Sequence, residues 1–81
     1  MINFKNGDYV YYEHLEDNCK EYGIIISSDL ILSNIRVKTL KALTKESEKF
    51  VNGMTEINKN DLSLITDQNI INMLNKLVVF E

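Results

Sequence analysis

Eighty-one residues make one domain, and a chain this short buries only about 60–65% of its unfolded surface, so its stability margin is thin. A net charge of −3 argues against a duplex-DNA binder, which needs a basic face to meet phosphates. One cysteine and one histidine exclude an internal disulfide, a multi-cysteine zinc site and clustered histidine ligands.

The composition, 44% hydrophobic and 26% charged, supplies one core and is not that of a disordered chain. No stretch approaches the ~18 consecutive apolar residues of a membrane helix. The start, Met1-Ile2-Asn3-Phe4-Lys5, lacks the apolar segment of a signal peptide, so a cytoplasmic protein is expected. Proline is absent, glycine occurs three times, and Asn, Ile and Lys are abundant. That bias fits an AT-rich coding sequence, such as that of a low-GC bacterium or its phage.

Asn6-Gly7-Asp8 is a turn signal, and residues 8–13 after it alternate as a strand. Val10 and Tyr12 share one face and belong to the core; Tyr9, Tyr11 and Glu13 share the other. His14 to Glu21 is polar and acidic and reads as a loop. Then "YGIIISS", 22–28, predicts a second strand, since three β-branched isoleucines favour extended backbone. Ile24 and Ile26 face one side and Ile25 the other. Gly23 at its start marks a bulge or a close backbone approach. The strand is open to continuation through Asp29-Leu30-Ile31-Leu32, and Ser33-Asn34 supplies turn residues.

Residues 35–43, "IRVKTLKAL", predict a third strand with helix as the alternative. Val37 and Leu40 fall on opposite faces there unless a bulge shifts the register. "TKESEK", 44–49, reads as a solvated turn, and residues 50–58 hold a fourth strand. Asn52-Gly53 is a hairpin dipeptide, so the turn lies either there or at 44–49. Residues 58–65 suit one 3₁₀ turn followed by a short strand. In the tail, Thr66 or Asp67 caps a helix whose Ile70, Ile71, Leu74, Leu77 and Val78 form one apolar stripe. That stripe needs a surface to cover, and the open face or end of the sheet is the simplest one.

"FKNGDYVYY", "EYGIIISS", "RVKTL" and "MTEINKNDLSLI" together resemble the small Src-homology-3-like barrels of the KOW and Tudor type. The resemblance rests on Gly7, Asp8 and Val10 at the first strand, Gly23, Ile24 and Ile26 at the second, and Asp61, Leu62 and Leu64 at the 3₁₀ element. It covers residues 4–65. It implies a mainly β fold, a barrel of four to five antiparallel strands over 1–65; the C-terminal amphipathic helix, 66–81, expected to pack on it, is an addition to the family pattern. The KOW group usually binds RNA or ribosomal protein and is basic, whereas this chain is acidic; the resemblance places no aromatic cage here, and so permissive a barrel does not fix a function.

No constellation for catalysis stands out. Cys19 and His14 lie five positions apart in an acidic stretch with Glu13, Glu16, Asp17 and Glu21, a setting that opposes a reactive thiolate. The three glycines are too far apart for a phosphate loop, and the acidic stretch lacks the calcium-loop pattern. The expectation is no enzyme, no metal and no cofactor. Arg36, Lys38 and Lys41, with Lys45 and Lys49 beyond, read as a solvated face. The candidate partner-binding residues are Tyr9, Tyr11, Glu13, Glu16, Asp17, Glu21, Arg36 and Lys38. In this reading, exposed tyrosines anchor a protein partner and the acidic 13–21 segment steers its basic surface. A host nucleic-acid-binding protein inhibited by a phage or mobile-element protein is one such partner. The rival readings are a subunit of a larger assembly, a homodimer through the C-terminal helix, and a weak RNA or single-stranded-DNA binder.

Overall fold

The computed structural model describes residues 4–13, 18–28 and 34–78. Five antiparallel strands, β1 (Tyr9–Glu13), β2 (Lys20–Ser28), β3 (Asn34–Ala42), β4 (Met54–Asn58) and β5 (Leu62–Leu64), form one sheet. Its strand order is β4-β3-β2-β1-β5, and it curls into a half-barrel followed by a C-terminal helix, α1 (Gln68–Val78).

The first turn forms because Gly7 takes φ +91°, a left-handed conformation that glycine adopts without strain. The Asp8 N–H donates to the Lys5 carbonyl at 3.0 Å, and the Lys5 N–H donates back to the Asp8 carboxylate at 2.9 Å. The turn then joins the sheet: the Gly7 N–H reaches the Ile25 carbonyl at 2.8 Å and the Ile25 N–H reaches the Asp8 carbonyl at 2.9 Å.

Alternation along β1 sorts its side chains as expected. Val10 and Tyr12 are completely buried, while Tyr9 and Tyr11 are half-buried and Glu13 is exposed. Val10, Tyr12, Ile25, Ile35, Val37 and Leu62 make one core cluster on the inner face, with Phe4 and Ile57 packed at its margin. Full burial of an aliphatic or aromatic side chain contributes roughly 1.5–3 kcal/mol, so this cluster is the main source of stability.

Two expectations are corrected, and two that were open are decided. Residues 14–21 are not all loop, because β2 begins at Lys20; Glu21, expected on an acidic surface, is a core-facing strand residue with no exposure. The 35–43 segment is a strand, and its register shifts opposite Tyr22/Gly23, which leaves Leu40 between the pairs Gly23↔Thr39 and Tyr22↔Lys41. Residues 44–49 are not a solvated turn. A 3₁₀ helix spans Lys45–Phe50 and buries Ser47, whose hydroxyl lies 3.0 Å from that of Thr44. The turn into β4 lies at Asn52, at φ +70°, and Gly53, one of the two places open to it, so the fourth strand occupies only Met54–Asn58 of the 50–58 segment.

The later elements follow their sequence signals. A 3₁₀ turn at Lys59–Asp61 leads into β5, with the Asn58 side chain accepting from the Asn60 N–H at 2.9 Å. Asp67, not Thr66, caps α1: its Oδ1 accepts from the Asn69 N–H at 2.8 Å and the Ile70 N–H at 3.4 Å. The possible continuation of β2 through 29–32, and residues His14, Glu16 and Asp17, lie outside the described residues.

Candidate functional site

The two faces of the sheet carry different chemistry. On the inner face, a polar chain runs through the core. Tyr12 pairs directly with Glu21 across β1 and β2, and Thr39 lies beyond, paired with Gly23. The Thr39 hydroxyl donates to Glu21 Oε1 at 3.0 Å, and the Tyr12 and Thr39 hydroxyls are 2.6 Å apart. A threonine hydroxyl has one proton, so Tyr12 donates to Thr39 and Thr39 donates to Glu21. All three residues are at most 1% exposed. Burial pushes the Tyr12 phenol well above the ordinary tyrosine range, and the Glu21 charge adds to the shift.

Gly23 makes room for this chain. A Cβ on Gly23 would come within 2.7 Å of the Tyr12 hydroxyl oxygen, 2.8 Å of its ring and 2.7 Å of the Lys38 carbonyl oxygen. The glycine therefore marks both of its predicted features, a register shift and a close approach. The sealed inner face offers a ligand no access to these groups and is a structural device.

The outer face holds most of the candidate residues. Odd positions of β1 and even positions at the start of β3 lie on it, so Tyr9, Tyr11, Glu13, Arg36 and Lys38 share one surface. Tyr9 pairs with Ile24, which pairs with Lys38, placing Tyr9 and Lys38 two strands, or about 10 Å, apart. Glu21 is not among them, because the same alternation turns it inward. Glu16 and Asp17 lie outside the described residues.

Each outer residue has a distinct setting. The Tyr9 hydroxyl donates to Asn75 Oδ1 on α1. Tyr11 stacks edge-on against Tyr22, with ring centroids 6.1 Å apart and planes at 65°, and its hydroxyl donates to Glu13 Oε1 at 2.9 Å. Partial burial raises the phenol pKa of Tyr9 and of Tyr11, and for Tyr11 the Glu13 carboxylate raises it further. Arg36 forms an exposed ion pair with Glu56 at 3.5 Å beside Met54 and Thr55, in a shallow depression at the β4 edge.

Tyr22 is the residue that the candidate set missed. Its signal is the cross-strand pairing Tyr11↔Tyr22, legible only once β2 is known to begin at Lys20. Cys19 is buried, and among the described residues no three His, Cys, Asp or Glu side chains cluster as metal ligands. Among them, too, no helix is long and apolar enough to cross a membrane. Compared with known protein families, characterised proteins and solved structures, the chain matches none.

Proposed function

We propose that this chain is a non-enzymatic protein-interaction module that binds through the outer face of its sheet. The observation that carries this reading is the Tyr11–Tyr22 pair, two half-buried tyrosines that contribute nothing to the core cluster and stand beside the exposed carboxylate of Glu13. Tyrosines of this kind supply large, rigid contact area with a polar tip and dominate binding energy at interfaces. The net charge of −3 favours a partner with a basic surface, such as the nucleic-acid groove of another protein, which the chain would occupy and inhibit. Burial of Cys19 argues against its use as a nucleophile. The Src-homology-3-like assignment draws support from the strand order and from the 3₁₀ turn between β4 and β5.

The test is affinity capture from lysate of the source cell with the wild-type chain and with Tyr11→Ala, identified by mass spectrometry. A partner held by the wild type, released by salt and lost with Tyr11→Ala supports the reading. Recovery of the same proteins by both chains sinks it. A second reading, a homodimer through α1, draws on Leu77, which is 43% exposed on the helix stripe. Light scattering that shows a strict monomer at high concentration removes it.

A further inference from the structure

Helix α1 is attached to the sheet by few contacts. Of its eleven residues only Leu74 is fully buried; Ile70, Ile71, Met73 and Val78 are half-buried and Leu77 is exposed. Its main contact is with β3, and its polar tie is the Tyr9–Asn75 bond to β1. Tyr9 points away from the core face of β1, so α1 meets the sheet on its outer face. Leu40 and Leu74 are buried and stand outside the core cluster.

No strand ladder involves α1, so the helix can leave with every strand pair intact. Once undocked, an eleven-residue helix has little intrinsic stability and unravels. Docking and helix formation are therefore one local step, of the kind that opens below the global unfolding free energy. The helix also leaves apolar surface of the same face open: Met54, paired with Lys38 on neighbouring β4, is 66% exposed.

We propose that α1 is a resident, displaceable ligand of the outer face, and that this face accepts an amphipathic helix of a partner protein in its place. The proposal rests on the outer face being the interaction surface, and it names the partner's chemistry. The incoming helix carries an apolar stripe like that of Ile70, Ile71, Leu74, Leu77 and Val78, with an amide oxygen for the Tyr9 hydroxyl. A helix longer than α1 continues over β4 and covers Met54, a contact that offsets the advantage α1 has from being tethered. Apparent affinity for such a helix scales with the fraction of molecules in which α1 has lifted.

The probe is a fluorescent synthetic peptide with the sequence of residues 66–78, added to the full chain. Leu74→Ala in the chain loosens the resident helix and should tighten peptide binding by at least about tenfold. The same Leu74→Ala change placed in the peptide should weaken binding by a similar factor. Asn75→Ser in the chain, which leaves the barrel untouched, should act in the same direction as Leu74→Ala and less strongly. Hydrogen exchange on the unmodified chain should show the amides of 74–78 opening well before those of β2 and β3. Failure of the peptide to bind either loosened chain overturns the proposal, as does joint exchange of α1 with the strands. A dimer in which α1 swaps between copies assigns the face to a second copy and also overturns it. The peptide assay needs no natural partner, so its failure is distinguishable from loss of the Tyr11-dependent capture.

Discussion

The two faces of one sheet follow different rules. The inner face is closed: five aliphatic residues and a Tyr12–Thr39–Glu21 chain fill it, and Gly23 is kept bare so that the Tyr12 ring fits. The outer face is met by α1, and its side chains range from half-buried Tyr9, Tyr11 and Tyr22 to exposed Glu13, Arg36 and Met54. The contrast teaches that buried and solvent-facing chemistry are divided between the faces by strand alternation. Val10 and Tyr12 go one way; Tyr9 and Tyr11, one residue along, go the other.

The largest break of this comparison is Gly23→Ala. A methyl group there meets two backbone or ring neighbours below 3 Å, and overpacking of that kind should cost about 3 kcal/mol in urea unfolding. A loss below about 1 kcal/mol would mean the inner face is looser than its geometry. Next, Leu74→Ala should cost about 2 kcal/mol, read as lost protection of α1 amides in hydrogen exchange. The strand amides should keep theirs; a uniform loss would show that the two layers unfold as one.

Tyr12→Phe should cost about 1 kcal/mol at neutral pH, since Thr39 loses its donor. The same substitution tests a pH effect. The Tyr12 pKa is raised in the folded state, so its contribution is complete below about pH 10, the ordinary tyrosine value, and is lost as pH rises toward the folded value. Wild-type stability should therefore fall above about pH 10, and Tyr12→Phe should flatten that limb. Tyr9→Phe, which cuts the tie to Asn75, should cost about 0.5 kcal/mol, again confined to α1. Arg36→Ala should change stability least, by well under 1 kcal/mol, because both members of its ion pair are more than half exposed. Thermal unfolding in low and high salt measures that difference.

Local chemistry made much of the fold legible. Gly7 and Asp8 built the first turn, the isoleucine run built β2, and Asp67 with its apolar stripe built α1. The start of β2 was hidden because Lys20 and Glu21 are charged and read as surface. Their strand character comes from pairing with Glu13 and Tyr12 on the preceding strand, which the charges of Lys20 and Glu21 do not announce. The 3₁₀ helix at Lys45–Phe50 was hidden for a similar reason: its buried Ser47 is satisfied by Thr44, a contact that a charged run does not announce. Among the candidate site residues, alternation placed Tyr9, Tyr11 and Glu13 correctly on one surface. It missed Tyr22, which joins Tyr11 only across the strand pair.

By itself the sequence determined a mainly β fold with a capped C-terminal helix, because turns, β-branched runs and helix caps act over a few neighbouring residues. Only the tertiary structure decided that Glu21 lies in the core and that α1 rests on the face of Tyr9. Both depend on contacts between separate elements: a donor on β3 for the Glu21 carboxylate, and an acceptor on α1 for the Tyr9 hydroxyl.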